Sequence, residues 1–208
     1  MPLLPKRVFW PVLLALIFVL SAGSLAYAWW LFQIARGNEA SRAGDLEAAA
    51  EIYQGAEAPF RRLPWLAQLL RGDYQRLTFN QVRLLYAQGQ NDEVMDKLEE
   101  GVRRAPLVAD SSEYSFWLGN VLLRRAIQSK NPEEKLKALN AALEEYEKGL
   151  AAEPEDWDLK YNYELVKHVL SQRGQDKKEA GEKVKSILDR MRPTVDPTRE
   201  VLPPEKRG

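Results

Sequence analysis

The side chains that could carry out chemistry are few, and they do not form a catalytic pattern. The chain of 208 residues has one histidine and no cysteine, which excludes thiol chemistry and metal clusters built on several histidines. It contains no GxxxxGK[ST], GxSxG or HExxH motif. The histidine, His168, stands beside Lys167 and one turn after Glu164, a setting typical of a surface residue. We therefore predict a protein that is not an enzyme, with no catalytic residue and no cofactor.

Acidic clusters are the remaining candidates for metal binding, because carboxylate oxygens are calcium ligands. They lie at Glu99-Glu100, Glu144–Glu147 and Glu153–Asp158, and none has the glycine-containing loop of an EF-hand. Solvated helix faces and acidic first turns of helices explain them better. We predict no metal site.

The charge balance excludes a further class of function. Lys and Arg total 30, as do Asp and Glu, so the net charge is zero and no overall field attracts nucleic acid. The absence of cysteine permits an oxidising compartment but excludes a disulfide framework. Outside the apolar segment described next, roughly 170 residues remain, enough for a single hydrophobic core.

Residues 8–35 contain no charged side chain and predict a transmembrane helix. About 20 apolar residues are enough to cross a bilayer. Lys6 and Arg7 precede the segment, and such basic residues favour the cytoplasmic side. We therefore predict a single-pass protein of a bacterial inner membrane, with residues 1–7 cytoplasmic and the C-terminal domain in the periplasm.

A cleaved signal peptide is the alternative, because a basic start and an apolar stretch precede the small-residue site at residues 26–28. Cleavage there would leave an exposed apolar N-terminus formed by Trp29, Trp30, Leu31, Phe32 and Ile34. The retained anchor is therefore favoured. Both alternatives export the domain that follows.

Beyond the apolar segment, small or apolar residues recur with gaps of four and three residues, and each set is followed by a proline. The sets are Ala49-Tyr53-Ala56 with Pro59, Val94-Leu98-Gly101 with Pro106, and Ala142-Tyr146-Gly149 with Pro154. Each set falls on one helical stripe, and in the second and third sets the proline, five residues later, predicts the end of the helix. An amphipathic leading segment precedes each set, at residues 32–43, 76–86 and 113–127, and turns at Gly44-Asp45, Gly89-Gln90 and Ser129–Pro132 separate the paired segments. The first leading segment begins inside the apolar run, which predicts one continuous helix.

These helix pairs resemble the tetratricopeptide repeat (TPR). The resemblance is carried best by Leu118-Gly119-Asn120 with Ala142, Tyr146, Gly149 and Pro154, and next by Leu85, Gly89, Val94, Leu98, Gly101 and Pro106. Matching positions recur about 45 and 48 residues apart, whereas the family repeat is about 34 residues long, so the pattern is degenerate. The resemblance implies an all-α fold in which residues 36–192 form a TPR-like solenoid of antiparallel helix pairs. Lys177–Met191 would cap it, and residues 193–208 would form a flexible tail.

The spacing between the first and second sets is longer than one family repeat, and the extra residues include a segment that is both apolar and basic. Its apolar residues are Phe60, Leu63, Trp65, Leu66, Leu69 and Leu70, interspersed with Arg61, Arg62 and Arg71. This composition is also that of an interfacial amphipathic helix. We favour the alternative, in which the apolar residues pack between the first and second helix pairs.

The leading helices of stacked pairs line a concave face, where we predict a protein-binding surface. Its residues are Arg76, Phe79, Arg83, Tyr86, Phe116, Asn120, Arg124, Tyr161, Leu165 and His168. Arginine and aromatic residues dominate binding hot spots, and together they suit a peptide or an acidic partner segment. The alternative is that the aromatic residues fill the core between repeats.

Residues 151–165, AAEPEDWDLKYNYEL, carry a closer resemblance. The string is similar to the NP.D.DAKYNLELA ending of TPR membrane proteins encoded beside MoxR-type ATPases and von Willebrand factor A (VWA) proteins. These include the Bat aerotolerance proteins and the MxaK proteins of methanol dehydrogenase clusters, to which the overall layout is most similar. From the residues themselves, we expect Asp156 to cap a helix and Asn162 to bond to the preceding pair.

This second resemblance implies an accessory role. The anchored domain would form a hetero-oligomer with a VWA-domain membrane protein and assist maturation of a periplasmic enzyme. In the MxaK case the step is calcium insertion into methanol dehydrogenase. A general envelope scaffold for cell-wall or transport machinery is the alternative.

Overall fold

The computed structural model describes residues 6–172, and all regular structure in that range is helical. The helices are α1 (Lys6–Arg42), α2 (Leu46–Arg62), α3 (Trp65–Leu69), α4 (Arg71–Ala87), α5 (Asn91–Arg104), α6 (Ser112–Gln128), α7 (Pro132–Ala152) and α8 (Trp157–Gln172), with a 3₁₀ turn at Pro106–Asp110. The all-α prediction is therefore confirmed for the described residues. The predicted cap and tail lie outside them. The chain divides into two compact units, Met1–Ala56 and Glu57–Gly208.

The first part of α1 is apolar on all sides. The helix has 37 residues and is about 55 Å long, and its Phe9–Arg42 segment is long and apolar enough to cross a membrane. None of its most apolar stretch is buried within the protein, and side chains such as Phe18 and Leu25 are 74% and 73% exposed. A helix that is apolar all round fits a lipid environment, which matches the predicted transmembrane segment.

The end of α1 packs against α2 inside the first unit. Ile34 is buried, and the indole Nε1 of Trp30 donates a hydrogen bond to the carbonyl oxygen of Ala56 at 2.8 Å. The apolar segment and the first leading helix therefore form one continuous helix, as the sequence predicts. Trp29 and Phe32 stay exposed, so cleavage after residue 28 would still leave them as an apolar N-terminus.

The second unit is built from helix pairs. Helix α4 packs on α5 and α6, while α6 and α7 both pack on α8 as well as on each other. The recurring sets of the second and third pairs are buried, including Leu98 on α5 and Tyr146 on α7. Gly44 and Gly89 have positive φ angles, which fits the predicted turns at these two positions. The TPR-like solenoid itself stays a prediction.

A close contact between glycine and tyrosine occurs in both units. On α6, a β-carbon at Gly119 would lie 2.5 Å from the ring of Tyr146, whose hydroxyl donates to Asn120 Oδ1 at 2.7 Å. In the first unit, a β-carbon at Gly37 would lie 2.5 Å from the ring of Tyr53, whose hydroxyl donates to Asn38 Oδ1 at 2.7 Å. In both units, a tyrosine of the second helix of the pair packs its ring against the glycine of a Gly-Asn dipeptide on the leading helix and donates a hydrogen bond to the asparagine.

The Gly119→Ala variant tests this contact. Because Tyr146 is fully buried and cannot move aside, the added methyl should cost about 1–3 kcal/mol of local stability. Hydrogen exchange of α6 and α7 in the detergent-solubilised full chain measures that loss. The control is Gly72→Ala on α4, where a β-carbon would meet nothing within 4 Å. Equal exchange in both variants would contradict the proposed packing.

Candidate functional site

Four predicted binding residues of α4 and α6, Arg83, Tyr86, Phe116 and Arg124, form an arginine–aromatic cluster together with Trp117. The ring centroids of Tyr86 and Trp117 are 5.2 Å apart, and those of Phe116 and Trp117 are 5.0 Å apart. The guanidinium carbon of Arg124 lies 4.1 Å from the centroid of the Tyr86 ring. The sequence did not single out Trp117, which joins the other two rings.

The charged members of this cluster already have partners within the unit. Arg124 Nη1 donates to the carbonyl oxygen of Tyr86 and to Asn91 Oδ1, both at 3.4 Å. Arg83 Nη2 lies 3.3 Å from Glu113 Oε1, which also accepts a 3.5 Å hydrogen bond from the indole of Trp117. Burial raises the pKa of Tyr86, although Arg124 opposes the shift. The cluster therefore holds α4 against α6.

Two predicted binding residues are buried. Phe79 is 2% exposed and packs inside the second unit. Asn120 is 7% exposed, and its Oδ1 accepts hydrogen bonds from Tyr146 Oη and, at 3.0 Å, from Asn162 Nδ2. The expected bond from Asn162 to the preceding pair is thus confirmed. Phe79 and Asn120 act inside the fold and do not line its surface.

The predicted residues of α8 lie near or at the surface. Tyr161 is 57% exposed, His168 is exposed and Leu165 is half-buried. One turn before Tyr161, Trp157 is 77% exposed, with the ammonium of Lys160 5.4 Å from its ring centroid. Trp157 was missed as a site residue, although it stands in the same string and at the same helical spacing. Arg76 on α4 is also exposed.

The opposite side of α8 explains why these aromatic residues face outward. Leu159 and Val166 are fully buried, and the chain leaves no room for a side chain at Gly149, where a β-carbon would lie 2.8 Å from Leu159. Asp156 Oδ1 caps the helix by accepting from the backbone N–H groups of residues 158 and 159 at 2.9 and 3.0 Å. These contacts fix the rotation of α8 about its axis and leave Trp157 and Tyr161 in solvent.

A buried ion network is the main feature that the sequence did not reveal. Glu57, on the part of α2 in the second unit, is 4% exposed and lies 2.5 Å from Lys97 Nζ. Gln81 Nε2 donates to its other oxygen at 3.2 Å. Lys97 also pairs with Glu100 at 3.1 Å, and Glu100 pairs with Arg104 at 2.8 Å. Sequence alone does not predict this network. Lys97, Glu100 and Arg104 on α5 have the spacing of a solvent-exposed helix face, and Glu57 lies 40 residues away from Lys97 in sequence.

The carboxylates of the network also affect the pKa of a buried tyrosine. Tyr74 is fully buried, and its hydroxyl has no hydrogen-bond partner among the described residues. Burial, and then the negative charges of Glu100 and Glu57, raise the pKa of Tyr74 to about 12. The phenol is therefore neutral at physiological pH. Within residues 6–172, no three acidic or histidine side chains gather in a metal-binding arrangement.

The segment around α3 differs from the favoured prediction of core packing. Phe60 is buried, but Leu63, Trp65 and Leu69 are 46%, 58% and 66% exposed. An open groove of about 560 Å³ lies beside them, lined by Arg61, Pro64, Trp65, Gln68, Arg103 and Arg104. The prediction is wrong for these three apolar residues because one side of the short helix α3 faces solvent.

Lys97→Met tests the ion network. Removal of the ammonium leaves the buried carboxylate of Glu57 with only an amide partner, which should cost about 3 kcal/mol of local stability. The control is Lys148→Met, since the Lys148 side chain is 56% exposed and its ion pairs are worth about 0.5 kcal/mol or less. Hydrogen exchange of α5 and α7 compares the two variants, and equal losses would show that Lys97 does not compensate the buried charge of Glu57.

A pH dependence follows from Glu100. Burial would raise the pKa of this carboxyl, but Lys97 and Arg104 outweigh burial and hold it below its ordinary value of 4.5. The resulting stabilisation is complete above pH 4.5 and is lost as the pH falls through the lower folded-state value. Glu100→Gln should therefore be less stable than wild type at pH 7, with the gap narrowing in acid. The exposed Glu144→Gln is the control, and a pH-independent gap would contradict the expectation.

Comparison with known proteins finds no relative, because no protein-family model, curated protein or solved structure matches the chain. The resemblance of residues 151–165 to the TPR membrane proteins of MoxR and VWA gene clusters stays a prediction.

Proposed function

We propose that this protein is a membrane-tethered adaptor whose second unit binds a partner protein through the first two turns of α8. The observation that carries the proposal is the exposure of Trp157 and Tyr161, one turn apart on a helix whose other side is firmly packed. Neither ring is needed to fill the described core. Tryptophan and tyrosine are the residue types most enriched at binding hot spots.

The surroundings of the two rings indicate the chemistry of the partner. Glu155 has a side chain that is 90% exposed and pairs with Lys160 at 3.1 Å, and Asp158 is also exposed, so two acidic groups and one basic group lie beside the aromatic pair. The arginine and aromatic residues on α4 and α6 predicted a peptide or an acidic partner segment, but Arg83 and Arg124 are engaged in an ion pair and hydrogen bonds within the unit. We therefore propose a partner surface with an apolar centre and basic residues at its rim.

The size of the contact is consistent with a specific interaction. Burial of one large aromatic side chain contributes on the order of 2 kcal/mol, and hot-spot residues contribute at least that much. The tether helps as well, because a partner in the same membrane meets the adaptor at a high effective concentration. A small aromatic patch can then be sufficient.

The identity of the partner comes from the resemblance of residues 151–165. It supports a VWA-domain membrane protein as the partner and maturation of a periplasmic enzyme, such as calcium insertion into methanol dehydrogenase, as the role. Lys6 and Arg7 before the apolar helix support the periplasmic placement. A general envelope scaffold would use the same surface for a cell-wall or transport component.

Affinity purification from native membranes in mild detergent tests this proposal. The wild-type full chain should retain a stoichiometric partner, and Trp157→Ala with Tyr161→Ala should weaken the affinity for it on the order of a thousandfold, as expected for a loss of about 2 kcal/mol from each ring. The control is Trp65→Ala, which removes another exposed tryptophan from a different surface. Circular dichroism should show the same helix content in all three proteins.

The outcomes separate the alternatives. A partner that carries a DxSxS metal-dependent adhesion motif supports the maturation role, whereas recovery of cell-wall enzymes alone contradicts it and supports the general scaffold. Equal retention by wild type and the double variant would show that α8 is not the binding surface.

A further inference from the structure

The second unit carries an apolar and basic surface around α3, well separated in sequence from the aromatic pair on α8. Residues 58–72 contain three arginines and no acidic residue. The surface comprises the exposed apolar residues Leu63, Trp65 and Leu69 and the exposed arginines Arg61, Arg62, Arg71 and Arg103, and we call it the α3 surface.

The local fold places the apolar residues of this surface together. Trp65 and Leu69 stand four residues apart on α3, so they share one side of the helix. Ala67 is fully buried and Leu66 is half-buried, which fixes the other side against the unit. Folding therefore presents a tryptophan and a leucine outward, with Leu63 just before them.

The groove beside Trp65 is basic. Its volume is about 560 Å³, and three of the six residues that line it are arginines. Arg61 and Arg103 are exposed at the groove, and Arg104 beside them pairs with Glu100 and donates to the carbonyl oxygen of Phe60 at 3.1 Å. Two guanidinium groups beside an indole suit a phosphate whose attached group is apolar.

We propose that the α3 surface binds the bilayer itself, with the phosphate of an anionic phospholipid in the arginine groove and Trp65 and Leu69 in the interfacial layer. The combination of exposed tryptophan and leucine with a rim of arginine is that of an interfacial membrane contact. A chain that carries a membrane-spanning helix keeps its other parts near lipid, so the contact need not be strong by itself.

Charge complementarity favours a lipid headgroup over a protein as the occupant. Each basic residue near an anionic membrane contributes about a fivefold gain in binding, and the α3 surface has four arginines that are exposed. The contact should therefore depend on anionic lipid and weaken with salt. This proposal is independent of the partner proposed for α8.

The experiment uses the absence of cysteine from the chain. Leu69→Cys in the full chain, labelled with the environment-sensitive fluorophore NBD, is placed in nanodiscs of phosphatidylglycerol or of phosphatidylcholine. We expect blue-shifted emission and quenching by nitroxide lipids in phosphatidylglycerol, with several-fold less quenching in phosphatidylcholine. The control is Leu136→Cys on α7, where Leu136 is 41% exposed, and its label should remain in water in both lipids.

A second variant tests the arginines. Arg61→Glu with Arg103→Glu in the Leu69→Cys background should lower the bilayer-bound fraction of the label by at least fivefold per arginine. A label that stays in water in both lipids would overturn the proposal. Equal quenching in both lipids, or no effect of the charge reversal, would overturn the headgroup site. Shielding of the label that depends on the number of copies per nanodisc would identify a second copy of the chain as the occupant instead.

Discussion

The close approach of paired helices at a glycine is the constraint on which the rest of the second unit depends. Gly119 lets α7 come near enough for the Tyr146 ring to lie against the backbone of α6. The tyrosine hydroxyl, thus buried, needs an acceptor, and Asn120 supplies it while also accepting from Asn162 of α8. The contact at Gly119 and the hydrogen bonds of Asn120 therefore connect α6, α7 and α8. The hydrogen bond from Asn162 helps to fix the rotation of α8 about its axis, and Trp157 is left at the surface. A larger residue at position 119 would disturb the packing of these helices and, with it, the exposure of the proposed binding surface on α8.

Buried charged side chains of the second unit are paired with charges of opposite sign. The carboxylate of Glu57 is removed from water only together with Lys97, and Glu100 and Arg104 extend the pairing toward the surface. Such networks contribute little net stability, but a missing member leaves an uncompensated charge in the interior. They therefore favour one arrangement of α4, α5 and the part of α2 that lies in the second unit. Arg61 and Arg103, beside Trp65, are exposed at the surface.

The sequence predicted helices α4 to α8 well because each buries a stripe with a period near 3.6 residues. Gly89, Pro106 and Pro154 follow the ends of their helices, whereas Pro59 lies inside α2. The sequence also predicted the buried sets on α5 and α7 and the cap at Asp156 for the same local reason. It could not predict which leading-helix residues reach the surface, because helix rotation depends on neighbours on both sides. Phe79 thus lies inside and Trp157 outside. Glu57 and Lys97 are 40 residues apart in sequence, and residue spacing does not predict a contact over such a separation.

Site-specific photocrosslinking in native membranes tests the central claim most directly. A benzoylphenylalanine in place of Trp157 is compared with one in place of Leu136, which is exposed on α7. The account predicts a single discrete adduct with another protein from position 157 and none from position 136. Adducts only from position 136, or no adduct from position 157 in cells that hold the assembled complex, would contradict it.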